Sequence, residues 1–415
     1  MLAEFRSLAT VYRWHRVEMF LSQRSLSTMI DSTTRTAGSL RIQVRQLDPR
    51  ILHGQILKRW QTLLANSQAA NTFLCPEFVL PYLEAFPRKQ APLLLTGEDR
   101  ESGELVGLGV FEPTKGTRAL PLPHLLPLHC HHQYRDGMLV SATRAVEFFD
   151  SLLKFITEEQ DEWFGIEFRQ LLIDQPWALQ LRQQAVDFGC SFRLTPRFAS
   201  PAVHLTALEA AGLEAGWSSS RRKSYRRNRN RVEKLGAVRM RLLTQYADVL
   251  PGVERFLKLE HSGWKGAQGT SLLSTPQETE FARKMTRAYA RAGNLIVSEL
   301  WIGDEVAASA LNFKAGNQLY AFKIGWNDRF AEVSPGVLHE VELIHSLRET
   351  FPALAWADSC AYADSYLNGV WTDSQTVGEG LLSASKIARG TGKLMAKIRR
   401  LKQWTVRQLR SPETL

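Results

Sequence analysis

The sequence predicts a mixed α/β (α+β) protein made of two similar halves, each a mixed, largely antiparallel sheet flanked by helices. Helix-period and strand-period segments alternate along the chain, and the same order of elements occurs twice without a residue-level repeat. At 415 residues the chain is also too long for one ordinary core, so two domains of about 200 residues are expected. A composition of 44% hydrophobic and 23% charged residues is globular.

The elements follow in order. Residues 1–38 read as a poorly ordered leader; they are rich in Arg and Ser, but Glu4, Glu18 and Asp31 fit a transit peptide poorly. A first domain is expected over 39–200. Ile56, Leu57, Trp60, Leu63 and Leu64 have the spacing of an amphipathic helix, and "EFVLPYLEAF" is a second helix interrupted by Pro81. "PLLLTGE" and "LVGLGVFEP" form a hairpin, "AVEFFDSLLKFITEE" a helix and "GIEFRQL" a strand. A second domain is expected over 201–410. It begins with "AVHLT", a basic helical run and the helix "QETEFARKMTRAYARAG". Three strands follow, the first two turned at Gly303-Asp304, then a helix from Gly336, the strand "LAWAD" and a basic C-terminal helix.

The net charge of +10 is concentrated. Residues 221–241 hold ten basic groups and one acid, and 386–411 hold nine basic groups and none, so the remainder is acidic overall. This excludes a uniformly basic nucleic-acid coat. No apolar run reaches the ~18 residues of a membrane span. Cys75, Cys130, Cys190 and Cys360 are far apart, which argues against a disulfide framework and for a reducing, cytoplasmic setting.

Ser334-Pro335-Gly336 follows a strand and a short polar loop. Ser caps helices, Pro suits the first helical position, and Gly lets another molecule approach the backbone. Such a helix start is a natural anion site, because unpaired N–H groups and the helix dipole point at one spot. It is also simply a good way to begin a helix.

Several stretches, in order, carry a resemblance. They are "SRRKSYRRNRNRVEKLG", "LEHSGWKGAQGTSLL", "LIVSELWIGDEVAASALNFKAGNQLYAFKIGWNDRFAEVSPGVLHEVELI" and "WADSCAYADSY". Over roughly 205–385 the chain resembles GNAT-type acyltransferases of the CelD/BcsL class, associated with cellulose biosynthesis. These in turn resemble the tandem-GNAT Fem peptidyltransferases. The resemblance extends more weakly through "RWQTLLANSQAANTFLCPEFVLPYLEAF". It implies tandem GNAT-like domains, with central strands of the second splayed to admit acyl-CoA (acetyl-CoA in the simplest case) as co-substrate. The pyrophosphate would rest on Val333, Ser334, Gly336, Val337 and Leu338. Two departures stand out: Gly336 is alone where the general phosphate loop has two glycines, and Tyr366 precedes Leu367 where the class often has Tyr-Lys.

An amine attacking a thioester must lose a proton, and the departing thiolate gains from receiving one. Asp358, at a strand end, is the expected base or substrate-orienting group, with a turn or capping role as the alternative. Tyr366 is the expected acid, with Tyr362 as substitute. His261, Glu299 and His345 are less favoured bases. Trp264 and Lys265 would line the acceptor side or anchor their loop.

The cluster His124, His129, Cys130, His131 and His132 has ligand types that zinc favours, but vicinal ligands are not expected to converge on one ion, so no metal is expected. This loop is expected to face the cleft between domains. In the basic run, Tyr225, Val232 and Leu235 give a narrow apolar seam closed by Gly236, with few aromatics for stacking single strands. The resemblance implies acyl transfer, in the simplest case acetyl transfer by an N-acyltransferase, from CoA to an amine, or else to a hydroxyl, of a sugar, polysaccharide precursor, glycolipid or other polar acceptor. The alternatives are Fem-like transfer from aminoacyl-tRNA and a non-catalytic partner keeping the fold.

Overall fold

The computed structural model describes residues 33–37, 40–52, 54–159, 162–208 and 212–410. The expected leader lies outside these except for Thr33–Ala37, which form strand β1 antiparallel to β2 (Leu40–Gln46).

Helices α1 (Gln55–Ala65) and α2 (Pro76–Ala85) follow. The apolar spacing read from the sequence buries Trp60, Leu63 and Leu64 of α1. Pro81 does not break α2; it removes one hydrogen bond from a helix whose Phe78 and Tyr82 are held edge-on against Phe281. Strands β3 (Leu93–Asp99) and β4 (Leu105–Thr114) form the expected hairpin, with β5 (His124–Pro127) and β6 (Leu139–Val140) along β4. Helix α3 (Ala145–Lys154), β7 (Gly165–Leu172), α4 (Pro176–Gln184) and the long β8 (Ser191–His204) complete the first half.

The second half runs α5 (Ser219–Glu233), β9 (Val238–Leu243), α6 (Tyr246–Ser262), the single turn α7 (Trp264–Ala267) and α8 (Pro276–Arg291). Strands β10 (Leu295–Ile302), β11 (Glu305–Ala315) and β12 (Gln318–Trp326) form a meander, with Gly303 at φ 59° in the first turn. Then come α9 (Pro335–Thr350), β13 (Trp356–Asp358), β14 (Asp373–Ser383) and α10 (Lys386–Arg410).

All described strands join one sheet, in the order β1-β2-β3-β4-β5-β7-β14-β8-β13-β12-β11-β10-β9, with β6 attached to β4. Each half has one parallel contact made across a helix: β5 with β7, and β12 with β13. The strand β8 links the halves, since it pairs with β14 along its length and with β13 at its end. Strand β14 comes from the second half of the sequence yet lies inside the first half's part of the sheet. It fits there because Gly378 and Gly380 carry no Cβ, which would come 2.4 Å from the Thr195 carbonyl oxygen and 2.8 Å from the Phe192 ring.

Strand alternation sorts the core. In β10, Ile296 faces α9 with Val341, Ile344 and Leu347, while Leu295 and Val297 face α6 and α8 on the other side. That second core also takes in Phe73, Phe78 and Leu108 of the first half, so one apolar core spans both halves.

Polar contacts pin this seam. Arg135, almost fully buried, donates from Nε and Nη2 to the two oxygens of the fully buried Asp358 at 2.8 and 2.7 Å. It also bonds Ser200 Oγ (2.7 Å) and the Tyr134 carbonyl (2.8 Å). The Tyr320 hydroxyl donates to Ala70 O and the Tyr289 hydroxyl to Thr72 O, both at 2.6 Å. His131 and His132 both reach Glu278 of α8, Nε2 to carboxylate oxygen at 2.6 and 2.5 Å. Both vicinal histidines thus meet on one carboxylate, and the three side chains form a group whose ligand atoms lie within 4.8 Å of one another.

Breaking a buried pair strands a charge. Asp358→Asn should destabilise the protein by about 3–5 kcal/mol, read from chemical denaturation.

The histidine clamp gives a pH dependence. Burial pushes His132 down to about 4, helped by Lys323 and His131 and opposed by Glu278. The folded protein thus keeps His132 neutral where the unfolded chain, at about 6.5, takes up a proton. Its contribution is complete above about pH 6.5 and is lost as pH falls toward about 4. Burial raises Glu278, but its two histidines outweigh this and hold it below its usual value, so its own contribution is lost only at lower pH. The melting temperature should fall between about pH 7 and pH 5, less steeply in His132→Gln.

Candidate functional site

The strands β12 and β13 pair over three residues only, Gln318–Tyr320 against Trp356–Asp358. Beyond Tyr320, β12 runs on alone on that side. A bulge between the pairs Leu311–Lys323 and Asn312–Ala321 leaves Phe322 as an extra residue and bends the strand. The divergence opens a cleft of about 580 Å³. Its walls are Ala321–Ile324 of β12, Ser359–Tyr362 after β13, Ser365–Leu367, and Trp264, Lys265, Gln268 and Thr270 around α7. Tyr134 enters from the first half.

Trp264 and Lys265 line this cleft as expected, Trp264 half-exposed. Lys265 is already engaged: its Nζ bonds the Ile324 carbonyl at 2.7 Å and Glu260 Oε1 at 3.1 Å. It ties the α7 turn to β12, and the fixed charge it brings is neutralised in part by Glu260. Tyr362 and Tyr366 also line the cleft. The Tyr366 ring is half-exposed, while its hydroxyl reaches to 3.9 Å from where a Cβ on Gly336 would stand. Burial, then the nearby Glu340 carboxylate, push its phenol well above the ordinary tyrosine value, so it holds its proton at neutral pH.

Asp358 departs from the expectation. It is not among the cleft's lining residues, and both carboxylate oxygens already accept from Arg135, with Oδ1 also taking the Cys360 N–H at 2.8 Å. A carboxylate so saturated orients the loop after β13 and is not free to accept a substrate proton. The lesser candidates are also committed elsewhere. His261 bonds Ser271 (2.8 Å), Glu299 is buried on Arg255 (2.8 Å), and His345 sits 3.3 Å from Glu214.

The helix start at α9 is as the sequence suggested, with a different detail. Ser334 is left-handed (φ 54°) and makes no side-chain cap; its Oγ accepts from Asn228 of α5 at 3.3 Å. Val337 and Leu338 N–H groups both return to Ser334 O, and Pro335 has none to give. The Gly336 N–H has no partner among the described residues. Val333 and Leu338 bury their side chains in the core and Val337 is half-buried, so this segment offers backbone rather than side chains.

Sequence reasoning missed Glu340 and Lys323. Glu340 lies one turn after Gly336, on the same side of α9, and lines the cleft. It is only 3% exposed, and its Oε2 has no hydrogen-bond partner among the described residues. The i, i+4 spacing from Gly336 was the available signal. Lys323, charged inside an otherwise apolar strand, also lines the cleft, and burial pulls it below the usual lysine value.

The basic helix α5 packs beside α9. Arg229 pairs with Glu342 and, at 3.4 Å, with Glu233; Val232 is buried and Tyr225 partly so. Leu235 lies outside the helix and is exposed, so the apolar seam is shorter than expected. Lys223, Arg226, Arg227, Arg231 and Lys234 make no hydrogen bond or ion pair with any described side chain.

These features agree with comparisons to known proteins. Residues 219–363 match the family model described as "Acetyltransferase (GNAT) domain". No curated protein matches the chain in sequence. Among solved structures, FemX is similar at 11% identity, with 80% of this chain and 96% of that one covered and a TM-score of 0.51. The C-terminal domain of a putative lysylphosphatidylglycerol synthetase from Agrobacterium fabrum covers 82% and 96% at 12% identity, TM-score 0.47. A tandem GNAT protein from the clavulanic acid biosynthesis pathway covers 83% and 99% at 13% identity, TM-score 0.37. Residues 219–363 thus match an acetyltransferase domain of the GNAT type, and the chain shares its fold with FemX.

Proposed function

We propose that the protein transfers an acyl group from acyl-CoA, in the simplest case acetyl-CoA, to an amine of a polar acceptor such as an amino sugar or glycan precursor, in the cleft between β12 and β13. The observation that supports this most is the meeting of two unlike groups on that cleft, the buried Glu340 carboxylate and the protonated Tyr366 hydroxyl. Glu340 Oε2 has no hydrogen-bond partner among the described residues, and the Tyr366 hydroxyl also lies near Gly336 at the N-terminus of α9.

Each has a task. The α9 N-terminus, with its free Gly336 N–H, suits the donor's phosphates. Glu340 replaces Asp358 as the base: it takes a proton from the attacking amine as the new C–N bond forms. The C–S bond then breaks, and Tyr366 gives its proton to the departing thiolate. Return of the proton from Glu340 to the phenolate, through water in the cleft they both line, would reset the site. Lys323 and the tethered Lys265 place positive charge along the same wall, which favours an oxyanion or an anionic acceptor.

A second reading, transfer from an aminoacyl-tRNA in the Fem manner, is supported by α5. Its unpaired cations lie on the helix that contacts Ser334, beside the proposed phosphate site at the start of α9.

Two measurements test these readings. CoA at 100 times its dissociation constant should stabilise the protein by ~2.7 kcal/mol, and Gly336→Val should abolish the shift. Thiol release from acetyl-CoA in the presence of amino-sugar acceptors should fall about 10²–10⁴-fold in kcat in Glu340→Gln and Tyr366→Phe, with CoA stabilisation kept. Activity within about twofold of the parent in both removes these residues from the mechanism. No CoA shift, together with filter binding that prefers charged over uncharged tRNA at ~0.15 M salt, favours the second reading.

A further inference from the structure

Helix α10 is 25 residues long, about 37 Å, and neither proposed activity uses it. Its docking face is small and specific. Ala388 is fully buried against Leu381 of β14, and Gly392 comes close enough that a Cβ would sit 3.4 Å from the same leucine. Arg193 donates to the Gly392 carbonyl at 3.0 Å, and Arg399 pairs with Glu379 at 2.7 Å. Ala388, Gly392 and Arg399 share one side of the helix, at i, i+4 and i+11.

The outward side is amphipathic. Ile387, Leu394 and Ile398 recur at i, i+7 and i+11 and are 67%, 54% and 36% exposed. Immediately beside them Lys386, Lys393 and Lys397 repeat the same spacing; all are exposed, and none pairs with a carboxylate among the described residues. Residues 386–411 contain no acid at all. Single exposed aliphatics are ordinary on a protein surface, but a row of them aligned with a row of lysines is not.

We propose that α10 lays this stripe into the surface of an anionic phospholipid bilayer. The aliphatics would enter the boundary between headgroups and acyl chains, and the lysines would meet the lipid phosphates. The charge complementarity selects an anionic surface, and the aliphatic row selects a bilayer over nucleic acid, which has no apolar phase for it to enter. No described helix is long and apolar enough to cross a membrane, so this contact lies on the surface. It does not depend on the donor or acceptor assigned above.

The test is co-sedimentation of the full chain with phosphatidylcholine vesicles, with and without phosphatidylglycerol. Binding is expected only with phosphatidylglycerol. It should weaken roughly tenfold for each of Leu394→Ser and Ile398→Ser, and about fivefold for each of Lys393→Gln and Lys397→Gln. All four sites are exposed, so the melting temperature should not move. Absence of binding to phosphatidylglycerol vesicles overturns the proposal. So does binding that responds to the lysine changes but not to the serine changes, since a purely electrostatic contact inserts nothing. A dimer that becomes monomeric in Leu394→Ser, without vesicle binding, would assign the stripe to a second copy of the chain and overturn it as well.

Discussion

The buried Arg135–Asp358 pair fixes where the cleft between β12 and β13 can be. Arg135 follows Tyr134, and Asp358 precedes Ser359, Cys360 and Ala361; these neighbours line opposite walls. Ser200, which accepts from Arg135 and donates to the Ala361 carbonyl at 2.8 Å, adds the bridging strand β8 to the same joint. A loop from one half, a strand end from the other and the strand common to both thus meet at one guanidinium. Such a pair contributes little net stability, because desolvation offsets attraction, but it penalises every arrangement that separates the partners. Its value here is geometric. The strands β12 and β13 can diverge without the cleft collapsing or drifting, because the closed end is locked where they last touch.

Much of the fold was legible because period and punctuation agree locally. The hairpins at β3–β4 and β10–β11, the helices α1, α3 and α8, and the start of α9 all announce themselves in residue spacing and turn chemistry. Strand β14 did not. "DSQTVGEGLLS" has two glycines and two acids, which weaken a strand signal; it is a strand because β7 and β8 supply a partner on each side. Helix α2 shows the converse, a proline that reads as a break but is carried through by aromatic packing.

The site was half legible for a related reason. The resemblance and the helix start at Ser334 pointed to Tyr366, Trp264, Lys265 and Gly336; the first three line one cleft, and the Tyr366 hydroxyl lies near Gly336. The same reasoning chose Asp358, since nothing local reveals an arginine 223 residues away that takes both of its oxygens. Glu340 was overlooked because a glutamate within an amphipathic helix ordinarily faces water. Only the assembled cleft shows it buried, with Oε1 3.8 Å from His339 Nδ1 and Oε2 without a hydrogen-bond partner among the described residues.

The insertion of β14 between β7 and β8 has a consequence for how the chain is made. A ribosome releases the first half long before it reaches residue 373, and until then β7 and β8 each lack the neighbour they pair with in the finished sheet. The nascent first half therefore carries two unsatisfied strand edges through the synthesis of the entire second half. Exposed edges of this kind invite pairing with other chains. Domains usually fold in order as they emerge, but here the earlier half must wait for the later one. The joint closure of both halves is then a single late event, and chaperones that shield strand edges would act on this protein before its last strand arrives.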